Sequence, residues 1–130
     1  MNPIWTTRLV LPDNTVIMPG QMIAIYPKTK TIDIQTPDGN DWMARDIRKA
    51  RHDRCTFLPD KNGKMIYEND RVKHKWESIE PLEGIVKQDH TGRWIVRTRA
   101  MDVVLSDQRE YWEVTGHVPY GEELSCSNPL

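Results

Sequence analysis

The sequence predicts an all-β fold with one short helical segment. Three observations carry that prediction. Apolar and polar residues alternate with period two along most of the 130-residue chain. Clusters of Pro, Asp, Asn and Gly interrupt the alternation at short intervals. Only Asp41 to Ala50 spaces its apolar residues at near-helical intervals. Strands this short, turned this often, suggest a small and strongly bent barrel.

Thr6 to Leu11 reads as the first strand, Pro12-Asp13-Asn14 as a turn, and Thr15 to Met18 as the returning strand. Pro19-Gly20 turns the chain into a strand over Gln21 to Tyr26, and Pro27 to Thr29 turns it again into Thr31 to Gln35. Pro37-Asp38-Gly39-Asn40 is a strong turn signal. Asp41 then offers a helix N-cap for the stretch to Ala50. A strand ending in a basic loop fits the same residues, and a helical turn is the expectation. Lys64 to Tyr67 is short and extended. Arg71 to Trp76 alternates strictly, with Val72, His74 and Trp76 on one face and Arg71, Lys73 and Lys75 on the other. Gly84 to Gln88 is a strand and Asp89-His90-Thr91-Gly92 a turn. Arg93 to Arg99 sets Trp94, Val96 and Thr98 against Arg93, Ile95, Arg97 and Arg99. Met101 to Leu105 is apolar, Glu110 to Val118 carries the last strand, and Pro119 to Leu130 is a polar tail expected to fray. The predicted core is Ile66, Tyr67, Val72, Trp76, Ile85, Trp94, Val96, Val103, Leu105, Trp112, Val114 and Val118. A faint echo links PGQMIAIY and TIDIQTPDGNDW to NDRVKHKW and GIVKQDHTGRW.

Composition narrows the classes. Hydrophobic residues make up 38% and charged residues 28%, the balance of a folded chain rather than a disordered one. A chain of this size buries a core without metal or disulfide staples. Five Trp and four Tyr against one Phe suit small barrels and contact surfaces. A net charge of −1 supplies no global field toward nucleic acid or membrane. Cys55 and Cys126 lie far apart and outside any C-x-x-C pattern, so reduced thiols in a cytoplasmic protein are expected. The N-terminal MNPIWTTRLVLPDN has no cationic segment ahead of a long apolar one, and the apolar runs are too short to span a bilayer.

No catalytic constellation, metal site or cofactor loop is legible. His52, His74, His90 and His117 do not sit at spacings that place two ligands on one face. Asp38, Gly39 and Asp41 lack the terminal glutamate of a calcium loop. Charge placement says more. Ala44 to Arg54 holds five Arg/Lys against two Asp, and basic residues share one face of each of two strands. Arg48, Arg51, Arg54, Lys73, Lys75, Arg97 and Arg99 are therefore the expected macromolecule-binding surface. From Ser106 onward Asp107, Glu110, Glu113, Glu122 and Glu123 face only Arg109. Three readings follow: a solvated face of alternating charge, pairing of the basic face with a protein partner or with the acidic end of another copy, and phosphate-backbone binding with stacked bases.

Asp60 to Val72, DKNGKMIYENDRV, resembles the signature of the YopX family of phage and prophage proteins, approximately D-K-N-G-K-x-I-Y-E-G-D-x-V. Leu58 stands at the upstream leucine, Gly84-Ile85-Val86 at the following G-x-V strand, and Trp112 to Val118 resembles the closing E-V-I-G-N-I-Y strand. The resemblance covers about Thr56 to Tyr120. Asn69 replaces the usual glycine, and the family's F-R-A-W-D opening is absent. The resemblance implies an SH3-like barrel, a phage or prophage setting, self-association and no established activity. The expected organisation is a small β-rich N-terminal unit over residues 1–54, ending in a basic helix or loop, an SH3-like barrel over 55–120, and a tail over 121–130. The expected function is that of a non-catalytic accessory protein in the host bacterial cytoplasm. It binds a host or phage protein, by one route inhibiting a host enzyme or defence complex, and associates with itself. The alternative is a nucleic-acid-binding module using the same residues.

Overall fold

Period-two alternation becomes antiparallel pairing throughout. The computed structural model describes residues 6–35, 40–74, 82–99, 101–107 and 111–122. The chain is all-β, built of curled antiparallel sheets that include a half-barrel. Among the described residues there is no α-helix; 3-10 turns lie at Pro19–Gln21 and Leu105–Asp107. The chain divides into two compact units, Met1–Arg54 and Cys55–Leu130.

In the N-terminal unit β1 (Thr7–Val10) pairs with β2 (Val16–Ile17). Then β3 (Met22–Tyr26), β4 (Thr31–Gln35) and β5 (Trp42–Asp46) form a three-stranded meander. The first residues of β6 (Arg51–Pro59) pair with β1, Thr7 opposite Arg54 and Val10 opposite Arg51. Leu9, Leu11, Ile17, Met22, Ile32 and Ile34 make the core. The expected helical turn is absent. Trp42 to Asp46 is a strand in unbroken register with β4, from Gln35↔Trp42 to Thr31↔Asp46. Met, Ala and Arg are good helix formers, but intrinsic propensity is a small term and cross-strand pairing overrides it. The adjacent β6 was not legible as a strand.

In the C-terminal unit the end of β6 pairs with β7 (Met65–Tyr67). A five-stranded sheet follows, made of β8 (Asp70–His74), β9 (Leu82–Gln88), β10 (Trp94–Thr98), β11 (Asp102–Val104) and β12 (Trp112–His117) in the order β11-β10-β9-β8-β12. Ile66, Val72, Val86, Val96, Leu105 and Trp112 fill the core, with Leu58, Leu82, Trp94, Val103 and Val114 against them. Each fully buried large side chain contributes roughly 1.5–3 kcal/mol. One core expectation fails: Val86, not Ile85, points inward, because Gly84↔Val72 and Val86↔Val96 share the core face. Trp76 lies outside the described residues. The echo has a structural counterpart. Both stretches fold as three-strand meanders, and Trp42 and Trp94 each open the third strand opposite a glutamine, Gln35 and Gln88.

The motif residues do architectural work. At Asp60 to Lys64, Gly63 N–H donates to Asp60 O (3.0 Å) and Asp60 N–H to Lys64 O (2.7 Å). Gly63 takes φ +82°, whereas Asn62 is not left-handed, so the hairpin is a three-residue loop closed by a glycine bulge rather than the two-residue turn that Asn-Gly suggests. The buried Asp60 carboxylate accepts the amides of Asn62 (2.8 Å), Lys64 (2.9 Å) and, across the fold, Val114 (2.9 Å). The same turn recurs at Asp89 to Arg93, where Asp89 accepts the amides of Thr91 (2.9 Å) and Arg93 (3.0 Å). In the second reversal Asn69 stands at φ +67°, the left-handed conformation that asparagine tolerates. Its buried side chain accepts Lys87 Nζ (2.7 Å). Asp70 is buried and accepts the Tyr67 amide (2.8 Å).

Burial pushes the Asp60 carboxyl up, but the amides of Val114, Lys64 and Asn62 together outweigh it and hold the group below its ordinary value. Its stabilising contribution is complete above the ordinary carboxylate range and is lost as pH falls through the lowered value. Asp60→Ala is expected to cost about 3 kcal/mol by denaturant unfolding, and acid titration of Asp60→Asn should lose part of the wild-type acid destabilisation. Gly84 presents a different constraint: a Cβ there would lie 2.5 Å from Val96 Cγ1 and 2.8 Å from Arg97 O. Gly84→Ala should therefore lower stability by roughly 1–3 kcal/mol, read as a shift in denaturant midpoint.

Candidate functional site

Alternation on β8 places Arg71 and Lys73 on the face opposite Val72 and His74, as expected, but the cross-strand neighbours of Lys73 are acidic. Lys73 pairs with Glu113 on β12 and with Glu83 on β9. β9 separates β8 from β10, so the two basic strand faces do not lie side by side. Arg71 and Arg97 each sit opposite Ile85. Arg97 is half-exposed and bonded to Asp102 on β11 (3.2 and 3.4 Å). Arg99 is exposed, just beyond the Thr98↔Gly84 pair that ends β10. The expected basic sheet therefore has carboxylates interleaved at Lys73 and Arg97, while Arg71 lies between Ile85 and Gly116. Glu113, expected as part of an acidic C-terminal segment, is interleaved with the lysine instead. Lys75 lies outside the described residues.

The basic residues of the N-terminal unit divide into two kinds. Arg48 is exposed and its guanidinium grips Asp46 (Nε to the two carboxylate oxygens, 3.1 and 3.0 Å). Arg54 is exposed on β6. Arg51 is not a surface residue. Its side chain is 8% exposed and donates to Asp53 from Nε (2.8 Å) and from the terminal nitrogen (2.9 Å). Asp53 is fully buried and also accepts Arg8 (2.7 and 3.1 Å). A buried carboxylate needs such donors, and this one recruits Arg51 into the interior. Arg45 reaches Asp13 (3.1 Å), and together with Asp46, Arg48, Lys49, Leu11 and Pro12 these residues line an open basin of about 630 Å³.

His74 is buried, with its ring edge-on to Trp112 at 4.8 Å and tilted against Tyr111 at 5.5 Å. His52 and His90 are exposed. Cys55 is a free thiol, and burial pushes its pKa up. Among the described residues no group of three or more His, Cys, Asp or Glu could hold a metal ion, and no helix is long and apolar enough to cross a membrane. Glu83, Asp102 and Glu113 were missed as parts of the face. The short Arg97–Asp102 separation across a hairpin was the one local signal; Glu83 and Glu113 reach Lys73 only through strand pairing.

Arg51→Ala is expected to cost about 3 kcal/mol, because it strips donors from a buried carboxylate, whereas Arg48→Ala, at an exposed ion pair, should leave the denaturant midpoint nearly unchanged. Paired denaturant curves distinguish the two residues. The chain matches no protein-family model, no curated protein and no solved structure.

Proposed function

We propose that this chain is a non-catalytic binding module whose partner is a protein, and that it serves as a phage or prophage accessory protein. The observation that carries the reading is the mixture of both charge signs on the C-terminal sheet, with Lys73 between Glu113 and Glu83 and Arg97 on Asp102. A phosphate backbone is recognised by basic groups without acidic competitors. A protein surface carries both signs, and a face of mixed sign selects its partner by matching them in register. The phage or prophage setting rests on the resemblance of Asp60 to Val72 to the YopX signature. In this fold the residues of that signature set turns and strand contacts, which accords with a motif that specifies architecture. Occupying the surface of a host enzyme or defence complex is the concrete form of action.

The test compares the wild-type chain with a variant carrying Arg71→Glu and Arg99→Glu, both at exposed positions. Immobilised wild-type protein should retain a discrete protein from host lysate, and the folded variant should lose it. Single- and double-stranded oligonucleotides should show no gel shift at low salt. A salt-dependent shift abolished in the variant would instead establish nucleic-acid binding. Retention unchanged by the variant would remove this face as the contact surface.

A further inference from the structure

The meander of the N-terminal unit has two edges, and they are protected unequally. Edge strand β3 is entered through the Pro19–Gln21 turn, and its register slips at Ile23, a bulge that spoils it as a template. Edge strand β5 has no proline, glycine or bulge, and its ladder with β4 is regular over all its residues. It is also exposed along nearly its whole length, Trp42 at 58% and Met43 at 41%. The Ile47 amide donates to Lys30 O (2.9 Å), continuing the β4 ladder. Antiparallel alternation then turns the backbone groups of Arg45 and Met43 toward β4 and those of Ala44 and Asp46 outward.

We propose that β5 pairs antiparallel with β5 of a second copy of this chain, about a two-fold axis at Ala44. The strand is self-complementary about that residue. Ala44 would exchange both backbone bonds with the partner's Ala44, and its small side chain leaves room for the approach. Trp42 falls opposite the partner's Asp46, whose carboxylate holds the exposed guanidinium of Arg48. That arrangement lays a planar cation over the exposed indole of Trp42, at both ends of the joined strands. On the other face Met43 meets the aliphatic stem of the partner's Arg45. The result is a continuous six-stranded sheet, and both unprotected edges are covered. This surface lies in the N-terminal unit and does not rest on the protein-binding reading of the C-terminal sheet.

Sedimentation equilibrium of the full chain from micromolar to submillimolar concentration should show a monomer–dimer equilibrium. Ala44→Pro removes an amide that points away from β4, a position where an edge strand accepts proline. It should keep the wild-type circular dichroism and raise the dissociation constant by about tenfold or more, reflecting the lost reciprocal backbone bonds. Should that variant fail to fold, Ala44→Cys decides the matter: mild oxidation should give a dimer whose cross-link maps by peptide mass spectrometry to position 44 in both chains. A chain that stays monomeric throughout overturns the proposal and leaves the edge to a strand from a different protein. A dimer that survives folded Ala44→Pro, or that gives no cross-link at position 44, overturns it equally.

Discussion

The carboxylate of Asp60 is the contact on which the C-terminal unit depends. It sits between a hairpin and the last strand, and one oxygen serves the amides of Asn62 and Lys64 while the other takes that of Val114. Lys61 N–H adds a bond to Trp112 O (3.0 Å), so the turn runs alongside β12 as a short extra pairing. β12 in turn brings Trp112 into the centre of the core and completes the sheet beside β8. The earliest turn of the unit is thereby joined to its final strand by one buried anion. The ordering of β7 and β8 between them follows from chain continuity, with Asn69 and Asp70 making the reversal.

Local chemistry explains which parts were legible in the sequence. Strands β1 to β4 and β7 to β12 announce themselves because apolar and polar residue types alternate along most of them between turn signals, even though β1 is buried at every residue. The turns are equally plain, since the left-handed residue at the foot is a stereochemical requirement, and the Asp at the head of two of them, Asp60 and Asp89, supplies an acceptor for the turn amides. Asn14 at φ +68° fills the same place in the first hairpin as Gly63 and Gly92 do later. β5 and β6 hide for opposite reasons. Trp42 to Asp46 is solvated on both sides of an edge, so no apolar stripe distinguishes it from an amphipathic turn of helix. Arg51 to Arg54 buries charge instead of hydrocarbon, and an interior made of guanidinium and carboxylate has no binary pattern to read.

The binding face was half legible for a related reason. Period two states which side of a strand a lysine occupies, and for Lys73 and Arg97 it did so. What it does not state is the strand next door. The sign of the field above a sheet is a property of register between segments far apart in the chain, and Glu83 and Glu113 enter only there. Counting basic residues along one strand therefore overestimated the positive character of the surface. Arg51 shows the same limit from inside, where a cation placed by sequence among surface residues is drawn inward by a single buried acid.

The trio of Arg8, Arg51 and Asp53 constrains how this chain can diverge. Its members come from two strands that pair directly, and Asp53 is shared between both guanidinium groups. Loss of the acid strands two cations in a low-dielectric interior, and loss of either cation weakens the solvation of the acid. Stepwise drift through single exchanges is thus closed at these sites, and descendants of this sequence should carry the set intact or an apolar replacement of the whole.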